Sequence, residues 1–142
     1  MASNAVLELH PTTFEGLMEA LREVNRVMFS PERFLKVFSM DQQTFAARAH
    51  VHRNTVRNAP ESEKIQAYIR DAVRVLRAVT DMGTEMTKAI FWFKNEPLST
   101  FDYKTAEEVV SEGRTEQLIA FLQSWEAGAQ GVAGIRAFWP EV

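Results

Sequence analysis

Residues 41–58 read DQQTFAARAHVHRNTVRN. Asp41 is a residue that caps helices by accepting backbone N–H bonds. The helix it opens is expected to run to about Val51, with Phe45, Ala46 and Ala49 turned inward. A second short helix starts near His52 and has to stop before Pro60, because proline disfavours helical geometry in the residue before it. Two short helices with a tight turn between them, and no strand pattern on either side, set the class of the fold.

Working outward, nearly every other segment has a helical period. Thr13 caps a helix after Pro11, and Phe14, Leu17, Leu21, Val24 and Met28 recur at helical spacing. This predicts a helix reaching Met28 with one apolar stripe, either a buried face or a seam with a second copy. Ser30 with Pro31 behind it starts the next helix, which carries Phe34, Leu35 and Phe38. A long helix is expected over about 62–79, burying Ile65, Ile69, Ala72, Leu76 and Val79, with Gly83 as its stop. Thr84 starts the segment TEMTKAIFWFK. Thr105 caps a helix with Glu107 and Glu108 in its first turn, where the helix dipole favours acids. Gly113 ends that helix, and Thr115 caps the last, with Leu118, Ile119, Leu122 and Trp125 on one side. Between these runs, NEPLSTFDYK (95–104) is rich in turn formers yet keeps Leu98, Phe101 and Tyr103, spaced to pin a fixed turn onto its neighbours, with the choice of which of them faces inward left open. Val6–Leu9 alone reads as strand and is too short to support a sheet. The fold class is all-α.

With no cysteine, the chain has no disulfide framework, thiolate metal site or cysteine nucleophile. Its three histidines have no carboxylate at ligand spacing, so no metal and no cofactor are expected. Nothing resembles a nucleophile elbow or a phosphate loop, which argues against an enzyme. No apolar run approaches the roughly 20 residues that span a bilayer, and MASNAVLELHP lacks the pattern of a signal peptide. A cytoplasmic protein with no membrane partner is expected. The net charge is −3, but residues 31–79 carry nine Lys/Arg against five Asp/Glu, while both flanks are acidic. A basic middle between acidic ends fits either a polyanion partner or a chance fluctuation in a solvated surface.

In DNA-binding helix-turn-helix units a small residue in the first helix lets the second cross closely, and apolar residues after the turn lock the angle. Ala46, Val51 and Val56 stand at those places, with Phe45 as the core anchor. The segment resembles the Xre-type family of repressors. The resemblance implies that Gln42, at the start of the first helix, holds a phosphate or base edge, with Gln43 and Arg48 beside it. It puts His52 where the family usually has a serine cap, and Arg53, Asn54, Thr55 and Arg57 on the exposed face of the recognition helix. Arginine suits phosphate or guanine and asparagine suits adenine. The family prefers glycine at the turn, where left-handed backbone is often needed; His50 occupies it here at some cost in strain.

From Trp92 onward the chain resembles the toxin-binding domain of Xre/MbcA/ParS-type antitoxins. The matching residues are Trp92-Phe93, Asn95, Leu98, Thr105-Ala106-Glu107-Glu108-Val109-Val110, Glu112-Gly113-Arg114, Leu118, Leu122 and Glu126-Ala127-Gly128. Ala106 departs from the proline that many members carry. The resemblance implies an antitoxin that binds and occludes a RES-domain, NAD-degrading toxin and represses its own operon. Asn95, Leu98, Lys104, Glu107, Glu108 and Arg114 are then candidate toxin contacts. So are Arg136, Phe138, Trp139 and Glu141 in the tail, where large apolar groups beside an arginine have the composition of a binding anchor. The alternative for the tail is that its aromatics fold back onto the protein's own helices.

The expected organisation is an N-terminal helix over 1–30, suited to dimerisation, an Xre-like helix-turn-helix region over 31–79, a small helical toxin-binding domain over 80–128 and a tail over 129–142. Operator DNA, a toxin and a second or further copy of the chain are the expected partners. The alternative is a protein-interaction module in which the helix-turn-helix is only a folding unit.

Overall fold

The structure, a computed structural model, describes residues 10–127. They form eight α-helices and one 3-10 turn, with no strand among the described residues. The fold is all-α. None of these helices is long and apolar enough to cross a membrane. The chain divides into two compact units between Asp71 and Ala72. The first holds α1 (Phe14–Ala20), α2 (Pro31–Phe38), α3 (Gln42–Ala49), α4 (Arg53–Asn58) and the first part of α5 (Glu63–Asp81). The second holds the rest of α5, α6 (Met86–Asn95), the 3-10 turn (Ser99–Phe101), α7 (Ala106–Ser111) and α8 (Thr115–Ala127). The division falls inside α5 rather than after Val79, because α5 buries residues along its whole length: Ile65 and Ile69 in one unit, Ala72, Leu76 and Val79 in the other. Residues 10–30 belong to the first unit and do not stand apart.

In the first unit the expected caps form. The Thr13 hydroxyl accepts the Gly16 N–H at 3.0 Å, and the Ser30 hydroxyl accepts that of Arg33 at 3.2 Å. Phe34 lies at the centre of an aromatic core. It stacks on Phe38 at 4.0 Å between centroids, meets Phe45 at 5.3 Å and takes the edge of Tyr68 at 6.0 Å. Such contacts add to the burial of large apolar area.

The first helix departs from expectation. It ends at Ala20, so Leu17 and Leu21 are buried while Val24 and Met28 are exposed. Long-range bonds take over where the apolar period would have continued. The Arg33 guanidinium donates to the Ala20 carbonyl at 3.3 Å, and the Ser30 N–H to the Leu21 carbonyl at 2.7 Å. The chain then makes a tight excursion closed by a single antiparallel bridge, Arg22 to Phe29. At its tip the Arg26 N–H bonds the Glu23 carbonyl at 3.0 Å, with Asn25 left-handed at φ 64°. Buried Gln66 of α5 holds the base. Its Oε1 accepts the Phe29 N–H at 3.0 Å, and its Nε2 donates to the carbonyls of Phe29 at 2.9 Å and Pro60 at 3.0 Å.

In the second unit Met86, Trp92 and Phe93 of α6 and Leu118 and Leu122 of α8 are all fully buried. Two starts shift from expectation. Helix α6 begins at Met86 rather than Thr84, and Glu85 before it makes no side-chain cap bond. Thr115 is the buried first residue of α8 rather than its cap. At α7 the expected cap is a reciprocal box: Glu108 N–H to the Thr105 hydroxyl at 3.3 Å, Thr105 N–H to Glu108 Oε1 at 3.0 Å.

Candidate nucleic-acid interface

Helix α3 starts on the Asp41 carboxylate, which accepts the Thr44 N–H at 2.6 Å and the Thr44 hydroxyl at 3.1 Å. The Thr44 N–H, then its hydroxyl, hold the Asp41 carboxyl below its usual range. The helix closes at Ala49, two residues sooner than expected, because His50 turns left-handed at φ 61° and ψ 43°. The Val51 N–H then reaches back to the Ala46 carbonyl at 3.0 Å, a bond that satisfies an otherwise orphaned helix end. Lys64 of α5 donates to the His50 carbonyl at 3.5 Å.

The second helix starts on His52, whose Nδ1 accepts the Asn54 N–H at 3.1 Å. The imidazole thus does the work of the serine that the resemblance leads one to expect. Gln42 couples the two helix starts. Its Nε2 donates to the Arg53 carbonyl at 3.0 Å. Buried Val56 fixes α4 from beneath.

Six of the expected DNA contacts, Gln42, Gln43, Arg48, Arg53, Asn54 and Arg57, line one open depression along α3 and α4. Three arginines and a single acid, Asp41, bear charge there, and the Asp41 carboxylate is engaged in its cap. The depression is therefore electropositive. Arg53, Asn54 and Arg57 are exposed. His52 and Thr55 are not part of the lining: His52 serves as the cap, and half-buried Thr55 bonds the His52 carbonyl through its N–H. Asn58 does line it and was not anticipated, although its place one residue after Arg57 was a signal.

In the second unit, most of the residues that carry the antitoxin resemblance face inward or engage one another. Leu98 and Glu107 are buried, which removes both from the list of surface contacts. Leu98 instead anchors the turn. Its N–H bonds the Lys104 carbonyl at 2.9 Å, and its carbonyl accepts the N–H of Phe101 at 2.9 Å and of Tyr103 at 2.8 Å. Asp102 and Tyr103 are successive left-handed residues, at φ 59° and 63°. Asn95 donates to the Phe91 carbonyl at 2.9 Å. Lys104 pairs with Glu112, and Arg114 lies over the Phe101 ring at 5.0 Å while donating to Gln117 at 2.8 Å. The bond from Lys104 lowers the Glu112 pKa, whereas burial raises that of Glu96. Tyr103, one of three residues expected to pin the turn, is 73% exposed, and Phe91 is 60% exposed. The spacing alone left open which of the three faces inward, and it did not single out Phe91. The tail candidates Arg136, Phe138, Trp139 and Glu141 lie outside the described residues.

The chain matches no family model, no curated protein and no solved structure.

Proposed function

We propose that this chain is a DNA-binding regulator whose first unit docks α4 in the major groove and whose second unit binds a protein partner. The observation that carries the DNA reading is the α3–turn–α4 arrangement. Its starts are tied by Gln42, its turn is closed by left-handed His50, and it presents Arg53, Asn54 and Arg57 to solvent beside Arg48. Exposed arginine and asparagine on a short second helix are suited to phosphates and base edges. In its full form the reading is a cytoplasmic, non-catalytic antitoxin. It occludes a RES-domain, NAD-degrading toxin and represses its own operon. The support for that part is the sequence resemblance from Trp92 to Gly128, together with a turn held in shape by Leu98 and the Thr105–Glu108 box.

Fluorescence anisotropy with labelled DNA from upstream of the chain's own gene tests the first part. Binding that outcompetes unrelated duplex and weakens steeply with salt is expected. Binding that is equal on both duplexes rejects operator recognition. Co-expression with a RES-type reading frame beside the gene tests the second part: restored growth and a co-purifying complex are expected, and continued growth arrest rejects it. The pure interaction module differs in one measurable respect, a stable complex with no DNA shift.

A further inference from the structure

The first unit holds a second depression, of about 370 Å³, within the roughly 300–1,000 Å³ of small-molecule sites. The tip between Glu23 and Met28 and the start of α2 form part of its wall; the end of α4, the turn after it and Gln66 of α5 form the rest. The tip's exposed Val24 and Val27 are no part of the lining. Buried Val56 and half-buried Phe29 and Leu35 give it an apolar interior. The Gln66 amide is already bonded to Phe29 and Pro60, so it fixes the wall. A preformed wall lowers the ordering cost of binding. Charge stands at the edge. Glu23 and Arg26 are exposed on the tip, and Arg57 and Glu61 are exposed at and beyond the end of α4. None of the four has an ion-pair partner among the described residues, although both signs line the same space. Glu32, a third acid of the lining, pairs with Lys36 at 3.8 Å.

We infer that this depression binds a free α-amino acid with an apolar side chain. Such a molecule joins one ammonium and one carboxylate to an apolar body. The tip and the α4 side each present an acid and an arginine, the complement of that adjoining pair, while Phe29, Leu35 and Val56 receive the side chain. An anion alone meets three carboxylates here and a cation alone meets two guanidiniums, so a ligand of both signs offsets the like-charge cost. Gln42 and Arg57 line both this depression and the one along α3 and α4. An occupant here therefore shares residues with the proposed DNA surface, and by linkage each weakens the other. That last step alone rests on the DNA reading; the site itself does not.

Isothermal titration calorimetry of the full chain with L-leucine, L-methionine and L-phenylalanine, without DNA, tests the site. At least one is expected to bind with a dissociation constant of about 0.1–1 mM. Glycine, and the amine and the carboxylic acid bearing the same side chain, should bind at least about tenfold more weakly. Glu23→Gln with Glu61→Gln removes both unpaired acids. It should weaken the amino acid by about tenfold and abolish its advantage over the carboxylic acid. Arg26→Ala with Arg57→Ala should do the same against the amine. These side chains are exposed, so thermal melts followed by circular dichroism should match the parent. If a melt changes, amide NMR of the parent decides, with the signals of Phe29, Leu35 and Val56 shifting as ligand is added. No binding of any of the three at about 10 mM overturns the proposal. So does glycine that binds equally well, or an acid variant that keeps the parent's discrimination. In the anisotropy assay the bound amino acid should weaken the DNA complex by about fivefold. Amino-acid binding by a chain that binds no DNA upholds the site and rejects the DNA reading instead. DNA binding that ignores a bound amino acid overturns the link through Gln42 and Arg57.

Discussion

In the first unit Arg53, Asn54 and Arg57 face solvent, whereas in the second Lys104, Glu108, Glu112 and Arg114 engage one another or their own helix starts. Both stretches look alike in sequence: short, polar and built around a capped helix. They carry different information. On α4 the side chains are surface chemistry, available to whatever docks there. Around the Leu98–Lys104 turn they are shape, and the groups left outside, Tyr103 and Phe91, are not the ones that mark the motif. Substitution should therefore damage recognition in the first region and folding in the second.

The largest effect is expected from Leu98→Ala, which removes a buried anchor and destabilises the second unit by about 3 kcal/mol. Trp92 is fully buried in the second unit, so tryptophan fluorescence of a Trp139→Phe background during urea unfolding reports on that unit. Amide NMR signals of residues 42–58 should hold their positions. If they shift, the two regions are not separable and the contrast breaks. Next comes Arg53→Ala with Arg57→Ala. It should weaken DNA binding by about a hundredfold at moderate salt and reduce the log–log salt slope by about 2, with the melting temperature unchanged. An unaltered salt slope removes both arginines from the phosphate contacts.

A smaller gain tests the turn. His50→Gly should stabilise the first unit by about 0.5–1 kcal/mol in urea unfolding, because glycine takes the left-handed conformation without strain. The smallest effects are in pH. Asp41 and Glu112 titrate below their usual range in the fold, so each contributes stability above the unfolded-state pKa that is lost as pH falls through the lowered value. Glu96 is raised by burial and acts in the opposite sense, losing its contribution as pH rises through its raised value. Carboxyl NMR titrations of the parent, Asp41→Asn and Glu112→Gln chains check the signs. Each substitution should flatten the acid limb of stability in its own unit only.

The helix starts at Thr13, Ser30-Pro31, Asp41 and Thr105 were legible in the sequence because a cap is local: the acceptor and the N–H it serves lie three residues apart. The end of α1 was not. Its apolar period runs on to Met28, and what stops it is Arg33 at the Ala20 carbonyl and Gln66 on Phe29, the latter 37 residues away. Only Asn25, a residue tolerant of left-handed backbone, hinted at a turn there. The residues that line the depression along α3 and α4 were legible for the same reason as the caps, since short helix faces collect them. The second unit misled because order along the chain identifies a motif but not which of its side chains point inward. Leu98 is distinguished from Tyr103 only by the turn's backbone geometry, and Glu107 from Glu108 only by its place on α7.

The Gln66 clasp also sets a sequence of events during synthesis. Helix α1 and the segment through Phe29 leave the ribosome well before residue 66, and local contacts form sooner than distant ones. Until α5 emerges, nothing holds both polar groups of Phe29, and the base of the valine tip is not fastened. The same side chain reaches the Pro60 carbonyl behind α4. One late-arriving amide thus completes both the tip and the exit from α4, so neither is finished on a nascent chain that stops short of α5.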